Sequence, residues 1–266
     1  MMKIERATKK DFEELKMLWS IVFLEEPAFL EHFFSQRFFP EHIAVARKEG
    51  EIVSALHALP STYMQGDKEQ KCAFIVGAAT YAAHRKQGIM GDLLAYTKET
   101  TNHPITLFPA VRYFYEANGY MTTSTMEEYR LPQNGQSKEK NLLLASLHEQ
   151  ILPPSSLDLI YREATKEAGA LMRDELGWNF LLDGYQLASV QGAYAFIKDG
   201  VAVEAMAMDR EAATKLVSLL QWYQVEKLRV IPNSPFAALF TGPFVQIPMG
   251  MSTDPSMRGV YIAEQY

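Results

Sequence analysis

The sequence predicts a mixed α/β protein in which two successive units each fold around a sheet. Three observations predict this class. Apolar runs of strand length alternate with amphipathic segments of helical spacing, a polar stretch divides the chain near its middle, and a hairpin pattern from the first half returns in the second. The 266 residues, 48% of them hydrophobic and 22% charged, suit a folded protein with one large domain or two ordinary ones.

The first half opens with a short strand over residues 2–7, followed by two helices. The first helix follows Thr8 and carries Leu15 and Trp19 at helical spacing. The second is predicted over residues 27–39, because proline suits the first turn of a helix. We expect its aromatic side chains in the core; the alternative is that they line a substrate pocket. These side chains are Phe29, Phe33, Phe34, Phe38 and Phe39.

Strands and short helices account for the rest of the first half. Two strands over residues 42–47 and 51–58 are joined by a Lys-Glu-Gly turn, which is a hairpin signal. A polar connection follows over residues 63–71. The remaining elements are expected as a strong strand over 72–80, a helix over 88–100, a strand over 105–108, a short helix over 110–118 that Gly119 ends, and a strand over 120–131.

A polar stretch with Pro, Asn, Gly and Ser but almost no apolar residue marks a domain boundary. We place the first domain at residues 1–133, the linker at 134–140 and the second domain at 141–266. In the second domain, residues 197–206 align without gaps with residues 47–56, and in both an acidic residue and a glycine join two strands. A duplicated unit and a chance likeness between two hairpins both stay open. A helix over 209–223 and a strand over 227–231 follow.

Charge and cysteine content narrow the class of protein. The net charge of -6 argues against nucleic acid as a partner and is compatible with a cationic substrate. A single cysteine, Cys72, excludes an intrachain disulfide and suits a reducing compartment. The chain start lacks the apolar core of a signal peptide, and no apolar run is long enough to cross a membrane, so a cytoplasmic protein with no membrane partner is expected. No set of ligand residues has metal-binding spacing, so no metal is expected.

The turn over residues 80–91 carries the clearest chemical signal. A helix start presents free N–H groups and the positive end of its dipole to an anion. Gly88 lets phosphate oxygens approach the backbone, and Arg85, Lys86 and nearby Lys71 add positive charge. These residues predict a phosphate or pyrophosphate ligand. The chain has neither a Walker-type motif nor Gly-x-Gly-x-x-Gly, so an NTP-binding P-loop and a dinucleotide fold are not expected.

Two motifs in this order resemble those of the GCN5-related N-acetyltransferase (GNAT) family. Arg85-x-x-Gly88 after a strand matches the family's pyrophosphate loop, and the segment Phe114-Tyr115-Glu116-x-x-Gly119-Tyr120 matches its second motif. Two departures stand out. Met90 lies where the family has a small residue, with Gly91 one place later, and Phe108 lies where an asparagine often touches the cofactor.

The form of the loop is similar to that of the enhanced-intracellular-survival (Eis)-like subset. The matching residues are Thr80, Arg85, Gly88, Ile89 and Met90. The resemblance implies a GNAT acyl-CoA N-acyltransferase fold followed by a second, degenerate GNAT-like domain without the cofactor motif. Members of the subset usually add a third, sterol-carrier-like domain, and the 266 residues end before one would fit.

The resemblance also implies acetyl-CoA as cosubstrate. The strand that ends at Thr80 would splay from its neighbour, and one of its N–H groups would polarise the thioester carbonyl. Tyr115 would protonate the departing thiolate while an amine attacks directly, without an acyl-enzyme. The implied cofactor-binding residues are Ala78, Ala79, Thr80, Arg85, Lys86, Gln87, Gly88, Ile89, Met90 and Gly91.

A small-molecule or peptide amine is the implied acceptor. Glu25 and Glu26, between the first two helices, are pocket candidates, with a solvated loop as the alternative. The general base is not identified, and the weaker candidates are His57, His84 and the terminal carboxylate of Tyr266. Cys72 is not expected as a nucleophile, because no histidine is near it in sequence. A homo-oligomer stays open, and the alternative function is a non-catalytic acyl-CoA-binding or regulatory module.

Overall fold

A computed structural model of the protein describes residues 2–132 and 150–264. The predicted linker at 134–140 lies outside these ranges, so the division into two domains stays a prediction. Within them the chain forms two mixed sheets covered by helices, which confirms the predicted α/β class.

The first sheet has its strands in the order β1-β2-β3-β4-β5-β14-β6, and β8 pairs with β3 beside this row. Most of these strands come from the first half of the chain, and two come from the second. Their bounds are β1 (Met2–Arg6), β2 (Ile43–Lys48), β3 (Glu51–Gln65), β4 (Lys68–Thr80), β5 (Ile105–Leu107), β6 (Met121–Thr122), β8 (Ala170–Leu171) and β14 (Met251–Ser252).

The second sheet has its strands in the order β13-β7-β12-β11-β10-β9. All but one of its strands come from the second half. Their bounds are β7 (Thr125–Arg130), β9 (Gln186–Val190), β10 (Ala193–Lys198), β11 (Val201–Ala207), β12 (Lys227–Val230) and β13 (Val245–Pro248).

The α-helices of the described ranges are α1 (Phe12–Phe23), α2 (Pro27–Arg37), α3 (Ile89–Glu99), α4 (Arg112–Ala117), α5 (Pro154–Thr165), α6 (Glu175–Gly184) and α7 (Arg210–Trp222). Local chemistry sets their ends. Asp209 caps α7 by accepting the N–H of Ala212 at 2.8 Å, and α1 stops at Leu24, whose φ is 59°. None of these helices combines the length and apolar character that a membrane crossing needs.

The two halves complete each other's sheets. Strand β7 follows β6 in sequence but lies in the second sheet between β12 and β13. Strand β14, from near the chain end, lies in the first sheet between β5 and β6. The hydroxyl of Ser252 donates to the carbonyl of Ile105 at 3.1 Å, and that of Thr106 donates to the carbonyl of Met251 at 2.8 Å. The first sheet therefore depends on β14, a strand from the second half of the chain.

Helices cover both faces of the first sheet. Alternation along β2 sends Ile43 toward α1 and α2 and sends Ala44 toward α3. The expectation that the α2 phenylalanines are core holds for Phe33 and Phe34, each 1% exposed. Phe39 lies outside the core and is 40% exposed.

The predicted polar connection over residues 63–71 is wrong. Strands β3 and β4 continue through it as a hairpin arm, with Tyr63 opposite Gln70 and Gln65 opposite Lys68. Gly66, at φ 61°, makes the turn. The polar side chains misled the prediction, because successive residues 68–71 of β4 are all exposed and show no apolar alternation.

The predicted strand over residues 120–131 is also wrong as a single element. It divides into β6 and β7, which lie in different sheets. The N–H of Thr123, between them, donates to the carbonyl of Gly250 at 3.0 Å, so the chain leaves the first sheet at this point.

The aligned hairpins of the two halves share backbone detail. Glu49–Gly50 and Asp199–Gly200 make the two turns, and all of these residues have positive φ. Each hairpin also has an irregular step at the same aligned position, between Ala46 and Arg47 and between Phe196 and Ile197. The shared irregularity supports duplication over a chance likeness.

Candidate active site

A bulge interrupts β4 close to its end. Ala55 lies opposite Ala79 but His57 lies opposite Val76, so β4 has an extra residue here. Gly77 has φ 62°, and a Cβ at this position would fall 1.8 Å from Cζ2 of Trp19. Only glycine fits such a site, both for its conformation and for the space. The bulge turns the end of β4 away from a regular strand.

The strands β4 and β5 separate at this bulge. They pair in parallel from Ala73 opposite Ile105 to Ile75 opposite Leu107. Beyond Ile75, no described strand pairs with β4 on that side, so the edge of its last residues is open. This is the splay that the family resemblance implied.

A cavity of about 270 Å³ lies between the separated strands. Its walls combine backbone of both strands with aromatic side chains and two carboxylates. The lining residues are Trp19, Phe23, Glu25, Phe74, Ile75, Val76, Gly77, Ala78, Leu107, Phe108, Pro109, Ala110, Tyr115 and Glu264. Of the strand residues predicted to hold the cofactor, Ala78 lines this cavity, Ala79 is fully buried, and the hydroxyls of Thr80 and Ser54 lie 2.7 Å apart.

The turn after β4 combines left-handed backbone with the start of a helix. Lys86 and Gly88 have φ of 61° and 81°, and α3 begins immediately after them. Arg85 Nε donates to the carbonyl of Thr80 at 3.0 Å, and Gln87 Nε2 donates to the carbonyl of Ala83 at 3.1 Å. Within the described residues, no group accepts the backbone N–H groups of residues 86–91. These free donors cluster at the positive end of the α3 dipole.

Met90 and Gly91 lie inside the first turn of α3. Met90 packs against the core beside this helix, so its side chain points away from the turn. A Cβ at residue 91 would lie 3.3 Å from Oδ1 of Asn118, so Gly91 allows α3 to approach the end of α4. The larger residue at 90 thus leaves the exposed backbone face of the turn unobstructed.

Tyr115 projects from α4 into the cavity wall and is 9% exposed. Burial raises the pKa of Tyr115 above its usual value near 10, so the phenol keeps its proton at neutral pH. Arg112 fastens the start of α4: its guanidinium donates to Oγ1 of Thr122 at 2.7 Å and to the carbonyl of Pro248 at 3.0 Å. The phenol is therefore held by a short helix that both halves of the chain anchor.

The two glutamates predicted for the acceptor pocket differ in position. Glu25 is half-buried and lines the cavity. Glu26 is exposed, has extended backbone and precedes Pro27 at the start of α2. The structure thus brings only Glu25 to Tyr115.

Sequence reasoning missed Glu264, a second carboxylate of the cavity wall. It is 2% exposed, and its Oε1 accepts a hydrogen bond from Nε of Arg173 at 2.8 Å. The sequence signal was an acidic residue that ends the apolar run Val-Tyr-Ile-Ala, but nothing local says where that run packs. The candidate Tyr266 lies outside the described residues.

The other candidate bases and the cysteine lie outside this cavity. His57 is fully buried among the rings of Trp19 and Phe34, and burial lowers its pKa to about 3. Burial raises the pKa of the Cys72 thiol to about 12, so it is protonated at neutral pH. His84 lies half-buried beside the turn and does not line the cavity.

Lys71 is a correction to the predicted anion site. It pairs with Thr62 and lines a different cavity of about 760 Å³, which shares only Phe74 with the smaller one. Eight residues of β4 lie between it and Thr80, and the two are up to about 30 Å apart along the strand. That larger cavity holds none of the residues of the motifs, so the smaller one is the candidate active site. Within the described ranges, no group of His, Cys, Asp or Glu side chains is placed to hold a metal ion.

Comparisons with known proteins relate the first half of the chain to one family. Residues 3–123 match the family model of the acetyltransferase (GNAT) domain. The first half of the chain is therefore similar to the acetyltransferase domain of the GNAT family. No curated protein matches the sequence.

Solved structures extend the likeness to both halves. A probable N-acyltransferase from Enterococcus faecalis V583 has a TM-score of 0.71 at 17% identity, with 95% of this chain and 72% of that chain covered. A GCN5-related N-acetyltransferase from Anabaena variabilis ATCC 29413 has a TM-score of 0.68 at 16% identity, with 95% of this chain and 72% of that chain covered. Eis1 from Mycobacterium abscessus has a TM-score of 0.69 at 14% identity, with 95% of this chain and 73% of that chain covered. The shared fold thus includes the second sheet, as the Eis-like resemblance implied.

Proposed function

We propose that the protein is an acetyl-CoA-dependent N-acetyltransferase that acts on a primary amine of a small molecule or peptide. One observation carries the proposal. The free N–H groups of residues 86–91 and the cavity lined by Tyr115 adjoin the same open edge of β4. A pyrophosphate on the turn and a thioester beside the phenol would be joined by a chain running along that edge.

The turn and the open strand would hold the cosubstrate through backbone groups. The N–H groups of residues 86–91 would donate to the pyrophosphate, with Arg85 and Lys86 adding charge at an exposed surface. Ala78 and Thr80 would bond the pantetheine arm along the unpaired edge. An N–H group freed by the bulge at Gly77 would polarise the thioester carbonyl.

The cavity wall supplies the groups for transfer. The amine nitrogen would form a bond to the thioester carbon while the carbon–sulfur bond breaks, and Tyr115 would give its proton to the departing thiolate. The Tyr115 phenol is protonated when the reaction begins, because burial raises a pKa that is ordinarily near 10. The carboxylates of Glu25 and Glu264 would attract the ammonium form of the acceptor and are the wall groups that can take its proton.

Release of CoA from acetyl-CoA in the presence of a panel of amines tests the proposal. We expect turnover that depends on the amine and yields an acetylated product. Tight binding of acetyl-CoA with no turnover across the panel would favour the non-catalytic binding module instead. Competition among acetyl-, propionyl- and longer acyl-CoA donors then defines the acyl group.

A further inference from the structure

A buried ion-pair network leads from the second sheet to the wall of the candidate active site. The Arg173 side chain is 1% exposed. Its Nη1 and Nη2 donate to the two carboxylate oxygens of Glu204 on β11, at 2.7 and 2.6 Å. Its Nε donates to Glu264 at 2.8 Å. One guanidinium thus joins a strand of the second sheet to the carboxylate that lines the cavity beside Tyr115.

Hydrogen bonds and ring contacts fix the guanidinium on the second-sheet side. Glu204 also accepts the hydroxyls of Tyr194 and Tyr261, each at 2.8 Å. The guanidinium carbon lies 4.1 Å from the ring centre of Tyr161. The planar guanidinium group of Arg173, held in this way, has little freedom to rotate. The second sheet therefore sets the position of its Nε.

Burial of this ion-pair network is not an efficient way to raise the free energy of unfolding. Taking a charged group out of water costs several kcal/mol, and buried ion pairs replaced by apolar side chains often leave a protein as stable or more so. Here the one guanidinium faces two carboxylates, which leaves an excess of one negative charge in a buried place. That excess lies on the cavity side, because Glu204 already uses both of its oxygens on Arg173.

We propose that Arg173 is a positioning residue for the acceptor: it holds Glu264 in the cavity wall, so that the second half of the chain sets recognition of the amine's positive charge. The inference rests on the proposed function. Glu264 has one oxygen on Arg173, and its Oε2 accepts only the N–H of Ala263, at 3.1 Å, among the described residues. An ammonium group in the cavity would complete both the hydrogen bonding and the charge balance of this oxygen.

The test is a double variant, Arg173→Met with Glu204→Gln, which removes the guanidinium without leaving Glu204 charged and unpaired. We expect the KM for the amine to rise about tenfold or more, while the KM for acetyl-CoA stays within about twofold. Glu264 loses the partner of its buried carboxylate in this variant, so the melting temperature should fall, and the selective rise of the amine KM is the readout. Glu264→Gln in the full chain should raise the amine KM to a similar extent.

The matched control is Arg229→Met with Glu128→Gln, an Arg–Glu pair of the same sheet joined at 2.8 Å that lines no part of the cavity. It should change neither KM. An unchanged amine KM in the Arg173 variant overturns the inference. Equal changes in both KM values with a lowered melting temperature also overturn it, since they indicate a purely structural role.

Binding of amines separates this inference from the proposed function. Calorimetry of the CoA-loaded protein with butylamine, benzylamine and 1,4-diaminobutane gives an affinity that needs no turnover. Amine binding that the double variant weakens about tenfold supports the inference even if no product forms, and the absence of turnover then counts against the proposed function alone. No amine binding by the unaltered protein overturns the inference.

Discussion

The indole of Trp19 occupies the space that a side chain at Gly77 would need: a Cβ there would lie 1.8 Å from Cζ2 and 2.3 Å from Cε2 of the ring. The ring is 2% exposed and forms part of the cavity wall beside the bulge. This relationship ties α1 to the point where β4 leaves β5, so the width of the cavity depends on it.

Gly77→Ala should therefore destabilise the protein by about 3 kcal/mol or more, because it adds a collision with a packed ring to an unfavourable φ. Urea unfolding measures the change. Gly50→Ala is the control, since Gly50 has φ 96° with open space around it and should lose only about 1 kcal/mol. Equal losses in the two variants would contradict the collision.

Gly88→Glu should weaken acetyl-CoA binding about tenfold or more, because it adds a negative charge and a side chain where the phosphates would lie. Calorimetric titration with acetyl-CoA measures the affinity. Gly50→Glu introduces the same side chain at another exposed glycine of positive φ and should leave the affinity unchanged. Unaltered affinity in a folded Gly88 variant would place the cosubstrate elsewhere.

Tyr115→Phe should lower kcat about tenfold or more while the KM for acetyl-CoA changes little, because it removes only the proton donor. Tyr113→Phe on the same helix is the control, since Tyr113 is 77% exposed and outside the cavity.

The pH dependence of kcat gives a second test of Tyr115. Burial raises the pKa of this phenol, so the acid form persists beyond pH 10. Loss of rate from this group is therefore expected only above about pH 10, and this alkaline loss should be absent in Tyr115→Phe. A fall in rate near neutral pH that disappears in that variant would contradict the raised pKa.

His57 should make stability fall in acid. Its pKa is lowered to about 3 in the fold, against 6.5 for the free side chain, so the unfolded chain takes up a proton below pH 6.5 before the folded protein does. The free energy of unfolding should therefore lose about 1.4 kcal/mol per pH unit from this group between those values. His57→Phe should remove this slope, whereas His103→Gln at an exposed site should not. Denaturant titrations at several pH values measure it.

Removal of residues 249–266 should unfold the protein or leave it aggregated. The deleted segment buries Met251, Val260, Tyr261 and Ile262 almost completely, which is worth on the order of 5 kcal/mol or more. That is comparable with the whole stability of a typical domain. A chain ending at Glu264 is the control and should retain the fold. A folded, cooperative protein without residues 249–266 would contradict the role of β14.

Local signals in the sequence predicted much of the fold and part of the site. The apolar periodicity placed a helix at 88–100, and the structure has it at Ile89–Glu99. The turn at Arg85 was singled out by its own chemistry, whereas Tyr115 was named because its segment resembles a family motif. Glu25 and Glu26 were both candidates because they lie between the first two helices, and their different environments depend on how α2 begins.

What the sequence could not predict depends on pairing between distant segments. Whether the run after residue 124 joins the first or the second sheet depends on competition between partners more than a hundred residues apart, which no local pattern records. Glu264 reaches Tyr115 only because β14 enters the first sheet. Lys71 was misplaced because proximity in sequence was taken for proximity in space along an extended strand.

The first half of the chain supplies β7 to the second sheet, and the second half supplies β14 to the first. This exchange affects how the protein folds during its synthesis. The residues of the Arg85 and Tyr115 motifs leave the ribosome long before Met251 and Ser252. Until β14 is made, β5 and β6 therefore lack the strand that lies between them in the folded first sheet. Contacts of such sequence separation slow folding and leave strand edges exposed in the meantime. We expect catalytic competence to arise late, only after Met251 and Ser252 have left the ribosome.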